Sequence, residues 1–446
     1  MFEFLLWAVI AMVAAAMVYA YAGSRDVFHP VMFIGPMMGF LYAWMPMKLY
    51  SSGGLDGFFQ ADQLIFVQVI NIAGVAAFLI GCLGVGCKLP DPPVQQEPVS
   101  ESSARVLTIV GIVLGCIGVG AWGITIINVG GFTDAFSQAY SGGWDDSGYV
   151  RDASLLMFPS FLLILCAATR TGILRIAYIP LLVFFIGPWV LQAALTARRG
   201  PTFMISTIIT MGWYLTRRKR PSLVVAAVTG ATVGFLMLFL VTNRQNIHLG
   251  SDASLTTDVS SIVEKPDTGN EYIYGTGAIL ASEQVQKFYW GRRMLAQVVI
   301  RPIPSAVWPT KYEDFGLPEL NHNAGTGEGF AEALGWEGAV GSAPGIISDL
   351  WLEFRWLNLP ALWVLGKLFG LAWKKTHLVG GPWVTQYIIA AALSIYFVMQ
   401  TMEAVIFRTL ILSIPLWLAW RGSGWHRSRT PQMVVQAPLR VSPSEM

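Results

Sequence analysis

Two arginines, Arg198 and Arg199, close a long apolar stretch at 176–196. A guanidinium presents a planar fork of donors, the geometry that grips phosphate or carboxylate oxygens in pairs. Past the next apolar stretch, 201–216, stands the densest basic cluster of the chain, Arg217-Arg218-Lys219-Arg220. Basic loops stay on the cytoplasmic side of a membrane, which puts Arg198 and Arg199 at the opposite surface. There the pair either holds an anionic ligand or snorkels to lipid headgroups, and the residues leave both readings open. Further along come Arg301 and Lys311, then His322, Glu328 and Glu332, then Asp349, Glu353 and Arg355. Cations of this kind suit a diphosphate leaving group, and a carboxylate or imidazole suits activation of a hydroxyl. His322, between Asn321 and Asn323, is a candidate base because imidazole titrates near neutrality. Glu328 and Glu332 could do the same work. Asp349 and Glu353 are spaced i, i+4, which puts both on one face of a helix. They could orient the cations or form an internal ion pair, for example Glu353 with Arg199 or Arg355.

The elements that must position these residues are membrane spans. Hydrophobic residues make up 54% of 446 and charged residues 13%, against about 25% charged in a soluble domain. The mean hydropathy is +0.55. The expected fold is all-α, a single polytopic helical bundle over 1–446. About eleven spans are expected, near 3–22, 31–49, 63–87, 106–128, 154–169, 176–196, 201–216, 222–242, 358–373, 383–400 and 404–420. Residues 1–22 lack a basic leading region and count as a retained first span. With 217–220 inside, the other basic loops fall inside too, the N-terminus lies outside and the C-terminus inside. Segment 89–104 has the composition of a flexible linker, and 422–446 that of a disordered tail.

Two outer segments are long: 129–152, and about 100 residues at 243–342. Long loops are usually functional. Within the second, 279–300 has the pattern of one amphipathic helix, with Leu280, Val285, Phe288, Leu295 and Val299 near one face and Lys287, Arg292 and Arg293 supplying positive charge. Such a helix either lies in the membrane interface or packs on the spans beneath it. Trp290, Trp308 and Trp336 supply faces that stack on sugar rings or anchor the loop at the interface. The small net charge of +2 gives no reason to expect nucleic-acid binding. Cys82, Cys87, Cys116 and Cys166 have no zinc or redox spacing, and the five histidines form no HExxH pair, so no metal or other cofactor is expected. GTGEG at 325–329 fits neither nucleotide fingerprint, and there is no GxSxG elbow. Gly111 and Gly115 form a small-xxx-small face suited to helix packing.

In its span layout, in ARRG at 197–200, RPIPSAVWPTK at 301–311 and PGIISDLWLEFRWLNLP at 344–360, the chain resembles bacterial oligosaccharide repeat-unit polymerases, the Wzy or O-antigen polymerase type. It departs from that family's RX10G loop pattern at Tyr312. The resemblance implies a GT-C-like, metal-independent inverting glycosyltransferase of the inner membrane, facing the periplasm. It would move a growing glycan from undecaprenyl diphosphate onto the next lipid-linked repeat unit. Arg198, Arg199, Arg301 and Lys311 would hold the diphosphate, and an acid of the outer loop or His322 would deprotonate the acceptor. Membrane lipids and a chain-length regulator are the partners it suggests. An O-antigen ligase, with the same donor and a lipid A core acceptor, is the nearest alternative. A flippase for lipid-linked sugars is the alternative of another class, but it would need essential charges along the inner half of the bundle. The interior charges are few, mainly Lys367, Glu403 and Arg408.

Overall fold

In the computed structural model, residues 1–89, 99–137, 148–243, 246–251, 255–257, 271–305, 307–317 and 343–425 are described. Among them all regular structure is helical, and nine helices are long and apolar enough to cross a membrane. The chain is a multi-pass helical membrane protein. Inside lipid every backbone amide and carbonyl must find a partner within its own segment, which selects helices for sequences of this hydropathy. In chain order these are α1 (Phe2–Ser24), α2 (Pro30–Ser51), α3 (Ala61–Leu83), α4 (Glu101–Asn128), the short α5 (Phe132–Phe136), α6 (Gly148–Ala168) and α7 (Ile176–Thr196). Then come α8 (Arg199–Leu215) and α9 (Leu223–Thr242). Four shorter helices follow: α10 (Glu271–Val285), α11 (Arg292–Val299), α12 (Lys311–Asp314) and α13 (Gly345–Phe354). The chain closes with α14 (Asn358–Leu378), α15 (Pro382–Met399) and α16 (Met402–Gly422). Helices α8 and α14 stand where the remaining two spans are expected.

Burial ranks the helices. In α15, 83% of its apolar window is buried, so it is central. In α9 only 6% is buried, so it stands at the periphery with its apolar surface facing outward. Helices α3 and α14 approach most closely. A Cβ on Gly81 would collide with the Trp363 carbonyl, and one on Gly366 with that of Phe78. Small residues let backbones touch, which is how helices gain dispersion contact where lipid removes the hydrophobic drive. Gly111 and Gly115 pack on Ile164, Ser160 and Phe185 in the same way. Helix α4 starts earlier than the composition of 89–104 suggests, because the Ser100 hydroxyl caps it by accepting the Ser103 amide at 3.1 Å.

The two ends of the bundle differ. One end gathers the basic loops: Arg220 donates to the Ser24 carbonyl, Arg217 to Gly172, and Lys374 to Val85. There Trp373 Nε1 donates to Asp26 Oδ2 at 2.8 Å, and His377 Nε2 lies 2.8 Å from the same oxygen, which fastens α14 to the α1–α2 turn. The other end carries the short helices α10 to α13. These are driven into the bundle: Ile347 of α13 abuts Gly74 in the middle of α3, and the Ile347 amide donates to the Tyr42 hydroxyl at 3.1 Å.

The single helix expected over 279–300 is two helices. Gln286, Trp290 and Gly291 take positive φ values, 52°, 54° and 82°, and the chain turns between α10 and α11. The turn is held by Tyr289 and Trp290 amides donating to the Leu352 and Glu353 carbonyls at 2.9 and 2.7 Å. The break rotates Arg293 out of the polar face on which continuous helical periodicity puts it. Instead of supplying charge at an interface, Arg293 is wholly buried.

Candidate functional site at the loop-bearing end

Around Arg293 lie three carboxylates. Its guanidinium hydrogen-bonds Asp349, and its Nε lies 2.7 Å from Glu403 Oε1 and 3.0 Å from Glu353 Oε1. All four side chains are 0–1% exposed. Asp349 and Glu353 do share a face of α13, as their spacing requires, but that face turns to Arg293. Neither Arg199 nor Arg355 is the partner of Glu353. Arg355 makes a two-pronged contact with Glu283, at 3.0 and 2.8 Å, and Arg199 pairs with Glu271. The second oxygen of Asp349 accepts the Met402 amide at 2.7 Å, and Glu353 Oε2 accepts the Gly291 amide at 2.7 Å. Burial, and then the charges of Asp349 and Glu403, push the Glu353 carboxyl up to about 7 against the pull of Arg293. One arginine facing three acids in a dry site favours retention of a proton. Built of these ion pairs and two backbone amides, the cluster fixes α11, α13 and α16 together.

A second group of cations gathers around Arg301. Arg301, in the turn just after α11, lies over the Phe407 ring with its Cζ 3.7 Å from the centroid. It donates to Gln297 Oε1 at 3.1 Å and pairs with Asp152 at 3.5 Å. Burial lowers its pKa and Asp152 opposes this, while the positive charges of Arg408 and Arg151 lower it again. Lys311 is lowered by burial and then by Arg301. Arg408, Arg151 and Lys311 thus all lie within electrostatic reach of Arg301, with Asp152 as its paired acid. One carboxylate among these cations leaves an excess of positive charge, which a further anion would offset.

Lys311, expected to grip diphosphate, spends its ammonium on the carbonyls of Ile303 and Arg301. The Tyr149 hydroxyl donates to the same two carbonyls. Together they hold the 301–303 turn, and with it the Arg301 side chain. Tyr312 follows Lys311 in the sequence and adds its ring, with the ammonium 5.1 Å from the centroid.

Arg198 and Arg199 stand at a sharp corner. Ala197 is left-handed at φ 49°, and α8 begins at Arg199. There the Arg199 guanidinium pairs with Glu271, whose side chain is 2% exposed. Tyr396 links this corner to the second group. Its hydroxyl occupies the space where a Cβ of Gly200 would be, and its ring lies under Arg408 at 4.4 Å. The order Arg199, Gly200, Tyr396, Arg408, Arg301 therefore forms one continuous band.

His322, Glu328 and Glu332 lie outside the described residues. Among the described residues no group of three or more His, Cys, Asp or Glu side chains is disposed to hold a metal ion. Sequence reasoning passed over Tyr149, Asp152, Tyr396 and Phe407 as partners of Arg301 and Arg408. Asp152 carried a signal, as a carboxylate beside Arg151 at the start of an apolar span. Tyr396 and Phe407 carried none, since aromatics within spans are commonplace. Comparison with protein-family models, with curated proteins and with solved structures gives no significant match to this chain.

Proposed function

We propose that the chain is a polysaccharide polymerase, an inverting glycosyltransferase of a bacterial inner membrane with an eleven-span, GT-C-like bundle. It joins undecaprenyl-diphosphate-linked oligosaccharide repeat units at the periplasmic face. The observation that carries this reading is the cluster of Arg301, Arg408, Arg151 and Lys311 at the end away from the basic loops. Charge accumulates on the diphosphate oxygens as the glycosyl bond breaks, and fixed guanidiniums stabilise it without reorganisation. Arg301 is the side chain best placed for that role, because Phe407, Gln297 and Asp152 hold its plane. Arg199 supports the site through Glu271.

Purified protein supplied with undecaprenyl-diphosphate-linked repeat units is expected to give a ladder of longer lipid-linked glycans without added metal. Transfer only onto a lipid A core acceptor would mark an O-antigen ligase. Movement of the lipid-linked sugar across the bilayer with no new glycosidic bond would mark a flippase.

A further inference from the structure

The basic end carries a cavity that the reading above leaves unused. It has a volume of about 370 Å³ and opens where α6, α8, α15 and α16 meet. Arg170 and Arg218 line it, and Arg217 donates to the carbonyl of Gly172, another lining residue, at 3.3 Å. Arg170 has a loose surface partner, Glu101 at 3.7 Å, whose carboxylate is 74% exposed. With its acid solvated and 3.7 Å away, this pair contributes little, and a better anion displaces it. The floor is of opposite character, built of Cys166, Leu215 and Trp420. The hydroxyls of Thr169 and Thr216 donate back into their own helices, to Leu165 and Gly212 at 2.7 Å. They offer an incoming anion no proton, so recognition falls to the guanidiniums.

A charged mouth over an apolar floor, at the level where helices leave the membrane, matches an amphiphile. Basic pockets between transmembrane helices on the cytoplasmic side suit anionic headgroups. We propose that this cavity binds the phosphate-bearing headgroup of an anionic lipid, with Arg170 and Arg218 on the phosphate and the first carbons of the acyl chains against Trp420. The site is independent of the glycan chemistry at the opposite end.

The test uses the full chain in nanodiscs and in detergent, with phosphatidylglycerol as the probe and phosphatidylcholine as the neutral comparison. The variants are Arg170→Gln and Arg218→Asn. Asparagine tolerates the left-handed φ of 55° at position 218, so the turn is kept. Arg105→Gln removes the same charge from an exposed position on α4 at the same end and serves as control. Loss of one charge-assisted contact is expected to weaken phosphatidylglycerol binding about tenfold in each cavity variant. The control is expected to bind as the parent protein does. Competition by glycerol 3-phosphate at similar concentration would keep the phosphate site and assign it to a soluble ester. Equal affinity in Arg170→Gln, Arg218→Asn and the parent, or an equal loss in Arg105→Gln, would overturn the proposal.

Discussion

Asp349 accepts from the Arg293 guanidinium with one oxygen and from the Met402 amide with the other. One carboxylate thus joins a helix of the long loop, the helix driven into the bundle and the last span. Removing one member of a buried ion pair leaves an uncompensated charge and costs about 3–5 kcal/mol, whereas replacing the set with apolar groups can be neutral. Arg293→Met is therefore expected to lower the melting temperature sharply and reduce the amount of folded protein. The quadruple replacement of Arg293, Asp349, Glu353 and Glu403 by Met, Leu, Met and Met is expected to recover part of that loss. A single variant as heat-stable as the parent would show that the cluster does not fasten these helices.

The same cluster sets a pH dependence. Glu353 titrates near 7 in the fold, against an ordinary value of 4.5. Between those values the folded chain binds more protons than the unfolded one, so stability falls as pH rises. The contribution is fully present below about 4.5 and lost as pH passes 7. Melting curves from pH 5 to 8.5 should shift downward with rising pH in the parent and stay flatter in Glu353→Gln. A parent protein that gains stability over that range would contradict the assignment.

How far the sequence foretold this arrangement depends on whether a local pattern or a backbone turn decided the outcome. Apolar length located the spans, and i, i+4 spacing put Asp349 and Glu353 on one face. Their partner was illegible because it depends on Gln286 and Trp290 adopting positive φ, a conformation for which neither glutamine nor tryptophan carries a propensity. Read as one helix, 279–300 turns Arg293 to water. Broken at 286–291, it turns Arg293 to the acids. Arg301 and Lys311 were legible as neighbours by separation in the chain, but not the division of labour by which Lys311 holds the backbone and Arg301 faces Phe407. Glu403 and Arg408 had the clearest unused signal, since charges within a span rarely lack a role.

Arg199 and Arg301 should separate when mutated. Under the proposed function, Arg301→Ala is expected to abolish polymerisation at normal protein level, and Arg301→Lys to retain only part of it, because a point charge does not replace a planar fork. Arg199→Ala also strands the buried Glu271, so its loss mixes folding with function. The double variant Arg199→Gln with Glu271→Gln removes that complication. It is expected to fold and to retain more activity than Arg301→Ala. In a deletion strain, glycan length on a gel reads the outcome, and normal polymer from Arg301→Ala would remove it from the donor site.

In the proposed glycosyl transfer, the candidates for the base that would activate the acceptor hydroxyl are narrowed by burial. A base must come within hydrogen-bond reach of the substrate, and Asp349, Glu353 and Glu403 are enclosed and held by Arg293 and backbone amides. Asp152 is more open but is committed to Arg301. His322, Glu328 and Glu332 therefore stay the candidates on the strength of residue type and position in the chain. Loss of a general base typically costs about 10²–10⁴-fold in rate, with donor binding left intact. His322→Ala, Glu328→Gln and Glu332→Gln should each be assayed for turnover and for binding of the lipid-diphosphate donor. The base is the residue whose replacement slows turnover by that factor at unchanged donor affinity. If all three variants turn over at the parent rate, proton acceptance belongs to none of them, and Asp152 becomes the residue to replace.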